Sequence, residues 1–138
     1  MSPRPASDEP IQRAVHVTAI DHVVLRTTQL QAQLRFYTEV LCCPLEKVQA
    51  DIGLYQLRAG DALIDLLEVE NAADGANGNM DHFCLQIASF DAAALQTHLA
   101  AHGVATGGVE TRYGAQGNGP SLYLHDPDGN LVELKASG

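Results

Sequence analysis

The chain nearly repeats itself, and that repetition constrains its fold more than any other feature. "AIDHVVLRT" (Ala19–Thr27) returns as "NMDHFCLQI" (Asn79–Ile87), with His22 and His82 60 positions apart. Each copy is an Asp-His pair followed by alternating apolar residues, the pattern of a half-buried strand. Each strand leads into a helical pattern. In the first, Leu30, Leu34, Tyr37 and Leu41 make one stripe, with Thr27 or Thr28 placed to cap it. In the second, Asp91 is placed to cap, Phe90 and Leu95 stand where a hydrophobic staple needs them, and Gly103 ends the helix after Leu99.

A hairpin pattern follows each helix. "GLYQLRAGDALIDLLEV" (Gly53–Val69) predicts two strands around Ala59-Gly60-Asp61. "SLYLHDPDGNLVELK" (Ser121–Lys135) predicts two strands around Asp126-Pro127-Asp128-Gly129, where proline pre-sets its φ and glycine accepts positive φ. One further strand is expected before each hairpin, around residues 45–49 and 104–111. The plan is strand, helix, three strands, then the same again. It predicts an α+β fold of two βαβββ modules, about 16–70 and 80–136, within a single domain spanning 16–138. Two copies at this period predict a duplicated module closing on itself, with each sheet covered by a helix on one face. "NAADGANGN" (Asn71–Asn79) reads as a flexible connector, and residues 1–15, with three of the six prolines, as a flexible lead-in.

Residues two apart on a strand share a face. Val23 and Leu25 therefore oppose His22, Val24 and Arg26, while Phe83, Leu85 and Ile87 oppose His82, Cys84 and Gln86. Ile64 and Leu66 oppose Asp65, and Val132 and Leu134 oppose Glu133. In every case one face is uniformly apolar and suits a helix. The other carries one potential metal ligand: His22, Asp65, His82 or Glu133. Apolar neighbours accompany all four, so their face reads as the wall of a cleft. Any one of them alone would be an ordinary strand residue. Four at matched positions of a repeat read as a site, with Asp65 and Glu133 at equivalent places in their hairpins. Two histidines with one or two carboxylates suit one divalent zinc, nickel, cobalt, manganese or iron ion.

The composition sets outer limits. A chain of 138 residues is long enough to bury a core as one domain. Its formal charge of −9, with no basic cluster, argues against nucleic acid or an anionic membrane as partner. The absence of a membrane-length apolar run or a signal-like start, with three cysteines in no framework spacing, predicts a cytoplasmic protein with reduced thiols. Adjacent Cys42 and Cys43 are poorly placed to bond each other.

"DHVVLR", "RFYTEVL", "DHFCLQI" and above all "LYLHDPDGNLVEL" resemble the vicinal oxygen chelate superfamily. It includes glyoxalases, fosfomycin-resistance proteins, bleomycin-resistance proteins and extradiol dioxygenases. The resemblance covers about residues 16–136. It implies paired βαβββ modules forming an open, barrel-like cleft around one divalent metal, with ligands from the first and fourth strands of each module. Those positions are His22, Asp65, His82 and Glu133. It further implies a homodimer, whose modules pair within or between chains, and a small oxygenated substrate, in some members a thiol adduct.

The activity implied first is that of a lactoylglutathione-lyase-like lyase or isomerase. Glu133 is the first proton-shuttling candidate and Asp65 the second. A fosfomycin-type thiol transferase or hydrolase uses the same three-ligand set. An extradiol dioxygenase would need an upstream histidine that Tyr113–Pro120 lacks. A non-catalytic drug-binding protein would need no ligand set at all. Asp65 departs from the glutamate usual in lactoylglutathione lyases, and Cys42-Cys43 replaces the glycine common after the first helix.

Further candidates surround the site. Tyr123, His125, Arg112 and Arg26 are placed as substrate contacts, with His16 of the same sort. Arg112 and Tyr113 lie in a glycine-rich stretch, Ala105–Pro120, that reads either as a mobile lid or as an ordinary flexible loop. His98 and His102, four apart on the second helix, have a metal-clip spacing but no intervening glutamate after the first, and read as surface residues.

Overall fold

Each copy of the repeat builds its own four-stranded mixed sheet. The computed structural model describes residues 14–71 and 79–137, so most of the expected lead-in and connector lie outside the described residues. In the first copy the strands are β1 (His22–Thr27), β2 (Leu45–Gln49), β3 (Leu54–Ala59) and β4 (Ala62–Glu68), in the order β1-β4-β3-β2. In the second they are β5 (Phe83–Ile87), β6 (Glu110–Gly114), β7 (Gly117–His125) and β8 (Leu131–Ala136), in the order β5-β8-β7-β6. The first strand of each copy runs parallel to the fourth, and the other neighbours are antiparallel.

Helix α1 (Leu30–Arg35), continued by a π-helical turn over Phe36–Val40, follows β1, and α2 (Ala92–Ala101) follows β5. They cover the apolar faces. Leu30, Phe36, Tyr37 and Val40 join Leu25, Leu57, Ile64 and Leu66 in one cluster that also holds Leu99, Leu122, Leu124, Val132 and Leu134. Each fully buried aliphatic side chain of this kind contributes about 1.5–3 kcal/mol.

The first helix differs from its expected stripe. Leu30 and Tyr37 are buried as the stripe requires, but Gln33, Phe36 and Val40 complete the buried side, while Leu34 and Leu41 are only partly covered. The expected cap also moves. Gln29 occupies the cap position with no side-chain cap, and the Thr27 hydroxyl instead accepts from the Gln29 amide at 2.9 Å, rigidifying the turn before the helix. Cys42 ends the element in the left-handed region at φ 59°, where glycine is easier to place. In α2 the Asp91 carboxylate accepts from the Ala94 amide at 3.1 Å, as a capping aspartate should, and Gly103 follows at φ 73°.

The second strand of the second copy, β6, begins later than expected, at Glu110. Ahead of it an isolated bridge joins Thr106 to Leu124 of β7, and the Gly107 amide donates to the Tyr123 carbonyl at 3.0 Å. The glycine-rich stretch is mostly hairpin rather than lid, because Gly117 at φ 94° turns the chain so that Gly114 pairs with Gly117 and Arg112 with Gly119.

The copies are tied together at the Asp-Pro-Asp-Gly turn. The Asp126 side chain, 4% exposed, accepts from the Asp128 and Asn130 amides at 2.9 Å each, which holds the turn closed. It also accepts from the Asn130 side chain at 2.8 Å, the Tyr37 hydroxyl at 2.7 Å and the Gln33 amide group at 3.1 Å. Gln29 adds bonds to Asp128 at 2.7 Å and the Pro127 carbonyl at 3.2 Å. Asp126→Ala would leave the Tyr37 and Gln33 groups buried without their acceptor. We expect it to lower the unfolding free energy by about 3 kcal/mol in urea titrations, against less than about 1 kcal/mol for an ordinary surface aspartate.

Candidate functional site

Register places the four candidate ligands as two matched pairs. In the first sheet Val24 lies beside Asp65, and Asp65 beside Gln56. In the second sheet Cys84 lies beside Glu133, and Glu133 beside Tyr123. Cross-strand neighbours share a face, so His22 with Asp65, and His82 with Glu133, stand on the sheet faces turned away from the helices.

The carboxylates are the covered members. Asp65 is 2% exposed and accepts from the Gln56 side chain through both oxygens, at 3.3 and 3.2 Å. Glu133 is 6% exposed, with Oε1 3.3 Å from His82 Nε2. The histidines lie nearer the rim, and each ring is oriented from its other nitrogen by the preceding aspartate. Asp21 meets His22 Nδ1 at 2.7 Å and Asp81 meets His82 Nδ1 at 2.6 Å. A carboxylate on one ring nitrogen leaves the other as the one able to act as ligand or base. The His22 imidazole is pushed above its ordinary 6.5, chiefly by the Asp21 hydrogen bond, with the Asp65 charge acting the same way.

Tyr123 packs edge-on to His82 with ring centroids 5.2 Å apart. Desolvation, then the Glu133 charge, raises its hydroxyl above the ordinary value, so it stays a proton donor near neutral pH. The Arg112 guanidinium lies 4.5 Å over the Tyr123 ring and donates to the Ser121 carbonyl at 3.0 Å and hydroxyl at 2.8 Å. Cys84 shares this face. Desolvation and the Glu133 charge push its thiol up to about 11, with Lys135 pulling the other way, so it is a neutral thiol rather than a thiolate ligand.

The two pairs do not meet. They belong to separate sheets, and among the described residues no three His, Cys, Asp or Glu side chains gather closely enough to hold a metal ion. Each pair has the nitrogen and oxygen donors that suit a borderline divalent cation, but either alone offers too few.

The remaining candidates scatter. Arg26 is exposed on the His22 face of β1, and His125 is exposed at the end of β7. Tyr113 is 80% exposed and opposite in parity to Arg112. His16 is exposed ahead of β1. His98 donates through Nε2 to the Val40 carbonyl at 2.7 Å, which ties α2 to the end of the π-turn. Its ring lies 4.8 Å from that of His102, away from either pair.

Three residues on these faces were not singled out from the sequence: Gln56, Ser121 and Lys135. Their signal was register. Once the Ala59-Gly60-Asp61 turn is placed, Gln56 must oppose Asp65, and Lys135 follows Glu133 by the two residues that keep it on one face.

Residues 19–134 match the Glyoxalase/Bleomycin resistance protein/Dioxygenase superfamily. The chain is 32% identical over 130 residues to the glyoxalase domain-containing protein RDO1 of Mycosarcoma maydis, covering 91% of this chain and 72% of that protein. It is 30% identical to virulence protein STM3117 of Salmonella typhimurium, covering 86% of this chain and 83% of that one. The crystal structure of STM3117 superimposes with a TM-score of 0.71 at 26% identity, over 90% of this chain and 100% of that chain. A trivalent organoarsenical cleaving enzyme from a Bacillus species is 30% identical over 82% of this chain and 70% of its own. With the family pattern spanning both copies of the repeat, and the paired βαβββ sheets in place, the chain belongs to the Glyoxalase/Bleomycin resistance protein/Dioxygenase superfamily.

Proposed function

We propose that this chain is a divalent-metal-dependent enzyme of glyoxalase-like type, a lyase or isomerase acting on a small oxygenated substrate. The observation that carries the reading is the matched placement of His22 with Asp65 and of His82 with Glu133, each histidine oriented by its own aspartate. His22, His82 and Glu133 would hold the metal, with Asp65 as a fourth, shorter donor already engaged by Gln56. When bound, such an ion polarises neighbouring substrate oxygens and lowers the cost of removing a proton from the adjacent carbon.

The chain's own groups supply the rest. Glu133, covered and beside His82, is the base that takes and returns the proton. The Tyr123 hydroxyl, kept protonated, is placed to donate to Glu133 or to a substrate oxygen. The Arg112 guanidinium holds the Tyr123 ring in position.

Neither pair suffices alone, so the reading includes a homodimer in which the first-sheet face of one chain meets the second-sheet face of its partner. Val24, 47% exposed between His22 and Arg26, and the open edges of both sheets are the surfaces such pairing would cover. Free thiols at Cys42, Cys43 and Cys84 suit a reducing, cytoplasmic compartment. Among the described residues no helix is long and apolar enough to cross a membrane.

Four measurements test this reading. Protein purified without chelator should carry about one divalent ion per chain, and His22→Ala with His82→Ala should abolish it. Because the His22 imidazole titrates above 6.5, protons compete with metal from above that value downward, and affinity at pH 6 should fall below that at pH 8. Undiminished metal in the double variant would refute the site.

Mixing the two single variants should restore metal binding at one site per mixed dimer, since each chain brings the half that the other lacks. No restoration after subunit exchange would place the site within one chain. Finally, Glu133→Gln should reduce turnover roughly 10²–10⁴-fold even with metal in excess. Recovery of full activity on metal saturation would make Glu133 a ligand and nothing more.

A further inference from the structure

Lys135 is one of only two lysines in the chain, and it is buried, with 4% of its surface exposed. It stands on the same face of β8 as Glu133, paired with Ser121 on β7. Among the described residues its side chain makes neither a hydrogen bond nor an ion pair. Holding a lysine this deep with no protein partner for its ammonium is costly, and an apolar residue of similar length would fill the same space more stably. The sheet nevertheless makes room for it. A Cβ on Gly114 would stand 3.2 Å from Lys135 Cδ and Cε, and one on Gly119 would stand 3.2 Å from Nζ. Neither glycine has positive φ, so at these two positions it is the lysine that requires the missing side chain. The ammonium is not sealed in. Among the described residues the fully enclosed side-chain nitrogen and oxygen atoms lacking a partner are Gln33 Oε1 and Asp128 Oδ2.

A second cation lies on the same surface. Arg112 pairs with Gly119 in register, and its guanidinium crosses to Ser121 and the Tyr123 ring. One of its nitrogens, Nη2, is 3.7 Å from Glu110, a carboxylate still 72% exposed in its side chain. Ser121, fully buried, thus sits between an arginine that it already binds and a lysine with nothing to bind. In a chain with a formal charge of −9, two cations share a small patch one step along the strand from Glu133, about 7 Å away by strand rise.

We propose that Lys135, Arg112 and the Ser121 hydroxyl form an oxyanion-binding subsite, which takes a carboxylate or phosphate-like group of a small anionic substrate. The location beside Glu133 rests on the metal-enzyme reading above. The cradle itself does not, since none of its members is a metal ligand. Lys135 supplies a point charge in a low-dielectric setting, and the arginine a planar donor with direction. The anion would satisfy the ammonium, so the cost of burying Lys135 is recovered when substrate binds. A small molecule bearing its reacting oxygens at one end and its anionic group a few bonds away would be oriented by both ends.

The test is calorimetric titration of inorganic phosphate, and separately of acetate, into the metal-free protein. Wild type should bind at least one of them, and the tighter one identifies the preferred oxyanion. Lys135→Met should weaken that binding about 10–100-fold, the range expected for losing one charge-assisted hydrogen bond. The same variant should melt at or above wild type without anion. Gly119→Ala, which keeps the charge but crowds Nζ, should weaken binding in the same direction. The His22→Ala with His82→Ala variant should bind the anion as wild type does, so loss of the metal reading would leave this result standing. Binding of neither anion, or equal affinity in Lys135→Met, would overturn the subsite. So would phosphate binding that appears only when zinc is added and ignores Lys135.

Discussion

The rest of the structure hangs on the Asp126 carboxylate. It closes its own turn through two backbone amides, and it takes hydrogen bonds from Tyr37 and Gln33 of the first copy. Burial and the neighbouring Asp126 charge push the Tyr37 hydroxyl well above its ordinary value, so it remains a donor across the working pH range. The turn it closes is the one that launches β8. Fixing where β8 begins fixes which of its residues face the helix and which face the cleft. A slip of one residue would exchange Val132 and Leu134 for Glu133 and Lys135 in the core. A buried hydrogen-bond hub at the end of the chain thus sets the chemistry of the last strand.

The two sheets apply one geometry with different side chains. Gln56 occupies beside Asp65 the place that Tyr123 occupies beside Glu133. The first arrangement ties both carboxylate oxygens to an amide, which restrains Asp65. The second leaves Glu133 against an imidazole and a phenol, groups that can exchange protons. The polar character is also uneven. The second-sheet face gathers Arg112, Lys135, Ser121 and Tyr123 around its pair. The first-sheet face sets Val24 and Arg26 beside His22, both exposed. The second copy therefore offers the richer set of contacts to a small molecule.

Much of this is legible in the sequence, and the structure departs from it where packing overrides local pattern. The hairpins around Ala59-Gly60-Asp61 and the Asp-Pro-Asp-Gly turn, and the Asp91 cap, depend on residues a few positions apart, and they stand where local chemistry put them. The stripe on α1 holds at Leu30 and Tyr37, while packing against the sheet buries Gln33, Phe36 and Val40 more deeply than Leu34 and Leu41. The glycine-rich stretch read as a lid or loop because glycines have weak strand propensity. Here Gly114 and Gly119 lie in strands where the Lys135 side chain passes over them.

The sequence by itself determined which residues share a face, because alternation along a strand is a property of the backbone and needs no distant partner. That alone put His22, Asp65, His82 and Glu133 away from the helices. Tertiary structure decided how these four are grouped, two on each sheet, with Gln56 on one carboxylate and His82 on the other. It also decided that Asp126 would reach Tyr37 across 89 positions and that Lys135 would be buried over two glycines. Those outcomes depend on strand order and helix docking, where contacts between residues far apart in the chain compete. Local periodicity carries no record of which one wins.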